Sequence, residues 1–189
     1  MLIFKKLTEN GFARQVSVLA SGTASAHLLA LGTLPLITRL YTPEQFGILG
    51  VFVAFMSILS VVANWRYEIA IPLPESDERA ANLAAVALVC GLVTTGLTFV
   101  FVYFVGNRFA EMTKFSRVAD YLWLLPAGVF LTAAYAVFQY WATRKKAFIR
   151  VARTRVEQAV GGVGTQLITG WMGFGTIGLI LGQIVNNGA

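Results

Sequence analysis

The 189 residues are 57% hydrophobic and only 13% charged, with a mean hydropathy of +0.69 and a net charge of +6. A soluble domain averages about 25% charged residues, so these figures exclude an ordinary water-soluble fold and point to a membrane protein.

The charges are segregated. Five stretches hold no Asp, Glu, Lys or Arg: Gln15–Thr38, Gln45–Trp65, Ala80–Asn107, Tyr121–Thr143 and Gln158–Ala189. Each is long enough to cross about 30 Å of hydrocarbon as a helix of roughly 20 residues. A helix satisfies its own backbone donors and acceptors in lipid. The expected fold is therefore all-α and polytopic, with spans near 15–38, 46–64, 81–106, 120–142, 157–173 and 175–189. That makes five complete crossings and a partial or terminal sixth.

In chain order, Leu2–Ala13 reads as an amphipathic helix lying on the membrane surface. Lys5-Lys6 and Ala24-Ser25-Ala26 imitate a signal peptide. The apolar run continues past Ala26 to Ile37, however, and this reads as an uncleaved first span. That span carries Ser17, Ser21 and Ser25 with Gly22, Ala26 and Ala30 beside them, small residues that admit close helix approach. His27 is the only histidine, in mid-span. It serves either substrate contact or proton coupling, or it is an imidazole bonded to a neighbouring helix. Pro35 predicts a kink.

Thr42-Pro43-Glu44 reads as an N-cap, a first-turn proline and an acid complementing the dipole of the second span. After that span, Arg66 and Glu68 stand at the edge of the hydrocarbon, where charge is expensive. They form a substrate contact, or a structural ion pair or snorkelling anchor. Pro72 and Pro74 forbid a continuous helix, and Ser76 with Arg79 and Asn82 starts the third span. Thr94, Thr95 and Thr98 line a cavity or bond back to their own helix. Cys90 is a packing residue with no partner for a disulfide.

Tyr121, Trp123, Tyr140 and Trp141 form an aromatic belt on the fourth span. Pro126 and Gly128 predict a kink, and Gln139 is polar near the inner end. The final uncharged stretch has 32 residues, about 48 Å as a helix at roughly 1.5 Å per residue. It is expected to break near Gly170–Gly175, with Gly178 and Gly182 as a close-packing pair. The end at Asn186-Asn187-Gly188-Ala189 suggests a fragment cut in or just after its sixth helix.

The basic residues orient the chain. Lys5, Lys6, Arg14, Arg66, Arg79, Arg144, Lys145, Lys146, Arg150, Arg153 and Arg155 fall in alternate hydrophilic segments, eleven on one side, against Arg39, Arg108, Lys114 and Arg117, four on the other. The positive-inside rule puts the N-terminus in the cytoplasm. Lying between two spans, the Arg144–Arg155 cluster reads as topogenic and as a contact for anionic lipids, with no nucleic-acid partner. The sequence holds no Cys/His metal cluster, no Ser-His-Asp set and no Walker or Rossmann glycine pattern. It implies no enzyme, no metal and no cofactor.

Two segments carry a resemblance. Pro35-Leu36-Ile37-Thr38-Arg39-Leu40-Tyr41-Thr42-Pro43-Glu44-Gln45-Phe46-Gly47 resembles a signature of bacterial polysaccharide-biosynthesis flippases. Arg66-Tyr67-Glu68 through Ala70-Ile71 and Leu73-Pro74, with Asn82-Leu83 following, is similar to their second. Thr143-Arg144-Lys145-Lys146 through Arg155, then Gly178–Gln183, looks like later landmarks. These are the Wzx-like exporters of the multidrug/oligosaccharidyl-lipid/polysaccharide superfamily. The resemblance implies two lobes of about six helices around a central cavity. It makes residues 1–189 the N-terminal transmembrane lobe, with the C-terminal lobe missing. The implied substrate is an undecaprenyl-diphosphate-linked oligosaccharide, flipped across the inner membrane for O-antigen, capsule or exopolysaccharide. Polysaccharide polymerase and chain-length proteins are implied partners. Arg66 and Arg144 are the expected headgroup contacts, His27 lies deeper, and Glu68 pairs with Arg66 or a loop arginine. Two other readings remain open: a multidrug antiporter of the same superfamily, and a non-transporting membrane scaffold subunit.

Overall fold

The structure, a computed structural model, describes residues 12–112 and 116–188. The expected surface helix lies, apart from its last two residues, outside the described residues, as does Lys114. The described part is mainly helical, with no strand. Its α-helices are α1 (Phe12–Leu40), α2 (Pro43–Val62), the short α3 (Tyr67–Ala70), α4 (Asp77–Met112), α5 (Leu125–Arg144), α6 (Phe148–Trp171) and α7 (Thr176–Gly188). A 3-10 segment, Ser116–Leu124, leads into α5. Among the described residues, four segments are long and apolar enough to cross a membrane: Ser17–Leu40, Pro43–Val62, Asp77–Phe104 and Arg117–Arg144. This is the pattern of a membrane protein.

The helices begin where local chemistry dictates. Thr42 caps α2 in a reciprocal box: its hydroxyl accepts from the Gln45 N–H at 3.4 Å, and Gln45 Oε1 accepts from the Thr42 N–H at 2.9 Å. Two first-turn donors are thereby satisfied. The Ser76 hydroxyl accepts from the Arg79 N–H one residue ahead of α4. Pro126 stands in the first turn of α5, where its missing N–H is one of the groups a helix leaves unpaired anyway. It therefore marks a start and not the expected kink. The last stretch does break, at Met172–Gly175, where Gly173 (φ +76°) and Gly175 (φ +60°) take left-handed conformations.

The main departure from expectation is α6. The sequence reading gives Arg150, Arg153 and Arg155 to a loop and starts the span at 157, whereas the helix begins at Phe148. Only Lys145, Lys146 and Ala147 separate it from α5. α6 buries Val151, Ala152, Gln158, Ala159 and Gly162 while Arg150 and Arg153 stay exposed, so the helix starts in a charged stretch by keeping those charges off its buried face.

Phe52 and Met56 from α2, Val129 and Ala133 from α5, and Ile180 and Ile184 from α7 form the main buried cluster. The α6–α7 hairpin closes on two glycines: a Cβ on Gly162 would lie 2.8 Å from the Gly182 carbonyl oxygen, and one on Gly182 would lie 2.7 Å from that of Gly162. Any side chain there would part the backbones. The buried Tyr41 hydroxyl donates to the Gln166 carbonyl at 2.6 Å, tying the α1–α2 turn to α6. α1 packs along α6, leaving Leu28, Leu31, Leu34 and Leu36 exposed.

Candidate functional site: a donor-rich cavity between four helices

Inside this apolar body lies a cavity of about 350 Å³ between α1, α5, α6 and α7. Helical spacing builds it. Thr132, Tyr135, Ala136 and Gln139 form one stripe of α5, and Arg155, Gln158 and Ala159 one stripe of α6. α1 presents Thr23 and His27 one turn apart, and α7 closes the space with Asn186 and Asn187. Gln139 and Arg155 also line an adjoining cleft of about 290 Å³ with Tyr140 and Thr143. The polar surface therefore continues along α5 toward its C-terminal end.

The cavity's chemistry is one-sided. Tyr135 Oη, Arg155 Nε and Gln158 Nε2 are buried and have no hydrogen-bond partner. All three can donate, and leaving such a donor unmet costs about 1–3 kcal/mol, more where it is charged. Arg155 forms no salt bridge among the described residues, whereas Arg153 on the same helix pairs with Glu157 at 2.6 Å on an exposed face. No Asp or Glu lines the space. A group rich in acceptor oxygens, anionic or hydroxylic, fits this lining. Arginine adds a planar fork matched to phosphate.

The residues singled out in the sequence are scattered. His27 lines the cavity. Arg144 does not: its guanidinium binds the chain between α3 and α4, donating to the Pro74 carbonyl, to the Glu75 carbonyl at 3.3 Å and to Asp77 at 3.1 and 3.2 Å. Lys145 also bonds Asp77. Arg66 is exposed in a left-handed conformation (φ 65°), and Glu68 is buried two residues on. Neither forms a salt bridge among the described residues, and neither borders the cavity. The threonines divide: Thr95 and Thr98 bond back to their own helix, while Thr94 reaches across to the Ala63 carbonyl at 2.9 Å.

Arg155, Gln158 and Tyr135 are the residues that sequence reasoning missed. The available signal was spacing: Arg155, Gln158 and Gly162 share a helical face, as do Thr132, Tyr135 and Gln139 on α5.

The model of a family described as polysaccharide biosynthesis protein matches residues 36–189. No curated protein and no solved structure matches the chain.

Proposed function

The chain belongs to the polysaccharide biosynthesis protein family, and from that premise we propose that it is the first lobe of an exporter that flips an undecaprenyl-diphosphate-linked oligosaccharide across the bacterial inner membrane. In this reading α6 and α7 are the fifth and sixth crossings, and the N-terminus and the α5–α6 turn face the cytoplasm, where their basic residues meet anionic lipids. A second lobe completes the cavity wall. Polymerase and chain-length proteins receive the product.

The observation that carries the reading is the set of unmet donors around Arg155. The diphosphate holds its charge through the crossing and must be neutralised in a low-dielectric body. Arg155 supplies a bidentate fork for it. Gln158 and Tyr135, with the amides of Asn186 and Asn187, offer hydrogen bonds to sugar hydroxyls. The tail stays in lipid and no covalent bond changes, so the function is transport. A cationic drug would meet Arg155 and no carboxylate here, which sets flipping above drug antiport.

The test is chromosomal replacement of Arg155 by Gln or Lys in the full-length protein, with surface polysaccharide and membrane protein level measured together. Gln is expected to abolish most export, and Lys, which keeps the charge without the fork, to retain part of it. Wild-type export from Arg155→Gln at a normal protein level contradicts the proposal.

A further inference from the structure

A groove of about 480 Å³ opens on the surface between α2 and α4 and shares no residue with the donor-rich cavity. Both helices are long and apolar enough to cross a membrane, yet each packs on α5 and scarcely on the other. The gap between them is the groove. Phe55 and Ile58 stand on the α2 wall, Leu97 and Phe101 on the α4 wall. Leu122 of the 3-10 segment and Leu125 of α5, both buried, form the floor. Ile58 and Leu97, on opposite walls, are 67% and 62% exposed.

Among the described residues, the polar part of the lining is Thr94 and Thr98, and both hydroxyls already donate within the protein. Thr94 donates to the Ala63 carbonyl at 2.9 Å and accepts from Trp65 Nε1 at 3.3 Å, and Thr98 donates to the Thr94 carbonyl at 2.8 Å. Water in the groove would lack the polar partners it needs, and hydrocarbon needs none.

The groove also has a direction. Its Thr94 end is level with the α2 terminus, where Asn64 Nδ2 donates to the Ala133 carbonyl near the middle of α5. Its other end meets the 3-10 segment, where Arg117, Asp120 and Trp123 are exposed. Such residues belong at the headgroup level. From Thr94 to Val102 on α4 is about 12 Å at roughly 1.5 Å per residue. That is close to one leaflet of a hydrocarbon core about 30 Å thick. A methylene is near the size of a water molecule, about 30 Å³, so the groove has room for about sixteen.

We propose that this groove is a binding site for one acyl chain of a membrane phospholipid, with its headgroup at the 3-10 segment and its chain end near Thr94. Depth and volume choose this occupant over an undecaprenyl tail, whose length far exceeds them. The chain joins α2 to α4 by apolar contact where the protein supplies little. The inference needs only that these helices cross a membrane, so it stands or falls apart from the export proposal.

The test is titration of dipalmitoyl phosphatidylethanolamine into the delipidated full-length protein in detergent, followed by native mass spectrometry. One lipid is expected to bind saturably. Ile58→Trp fills the groove from an exposed position. Displacing even a few buried methylenes should weaken binding roughly tenfold, about 1.4 kcal/mol. Val89→Trp, similarly exposed on α4 but outside the groove, should keep wild-type affinity. Should Ile58→Trp fail to fold, Leu97→Trp takes its place. A short-chain phosphatidylethanolamine gives an independent reading on the wild type, where it should bind about tenfold more weakly. No saturable binding to the wild type, undiminished affinity in the groove variant, an equal loss in Val89→Trp, or equal affinity for the two chain lengths each overturn the proposal. So does a polyprenyl phosphate that displaces the phospholipid at lower concentration.

Discussion

Arg144 and Arg155 belong to the same basic segment and to consecutive helices, yet their surroundings are opposite. The Arg144 guanidinium sits at the C-terminal end of α5 with backbone carbonyls and Asp77 around it. Arg155 stands two turns into α6, beside a cavity, with Nε unpartnered. The first closes the joint between α3–α4 and α5, and the second has donors left over. Position in a charged run does not separate a structural arginine from a binding one. The acceptors that the fold supplies do.

The comparison can be broken by substitution, and the largest effect is expected where donors are used up. Arg144→Ala strands the Pro74 and Glu75 carbonyls and should lower stability by about 3 kcal/mol, since hydrogen bonds to a charged group are worth about 1.5–3 kcal/mol each. Denaturant titration in detergent reads this, and an unchanged midpoint would remove the clamp from the account. Arg155→Gln should leave stability within about 1 kcal/mol while weakening headgroup binding by about 2 kcal/mol, the value of one charge-assisted bond. A large loss of stability would make Arg155 a second clamp. Tyr41→Phe, at the opposite end of the molecule, loses one buried bond to the Gln166 carbonyl and should destabilise by about 1 kcal/mol. Melting of the purified variant checks it. Lys145→Ala should leave the midpoint where it is, because its partner Asp77 is exposed and Arg144 already holds that carboxylate.

Much of the scaffold was legible in the residues. Uncharged runs marked the long helices, because lipid leaves a chain no cheaper way to satisfy its backbone. Thr42, Pro43 and Gln45 marked a helix start, and the glycines of 170–175 a break. The signature segments were legible as important, yet the structure gives their residues joining work: Tyr41 ties the α1–α2 turn to α6, and the Ile71 and Pro74 carbonyls accept from Arg144. Pro126 misled because the same residue can kink a helix or begin one, and only the preceding 3-10 segment decides. The site was less legible. His27 stood out as a lone imidazole among apolar residues. Arg155 did not, because five basic neighbours read together as one loop. Its role depends on α6 starting at Phe148, which hydropathy alone does not mark. Glu68 was visible as a costly charge, but its lack of a partner is a property of three-dimensional packing.

The most direct measurement is the affinity of the purified full-length protein, in lipid nanodiscs, for a polyprenyl-diphosphate-linked sugar, compared among wild type, Arg155→Gln and Arg153→Gln. Arg153 is the internal control, on the same helix with the same charge but paired to Glu157 on an exposed face. The account predicts at least a tenfold loss for Arg155→Gln, about 1.4 kcal/mol, and wild-type affinity for Arg153→Gln. Equal affinities for all three proteins, or equal losses in both variants, would contradict it.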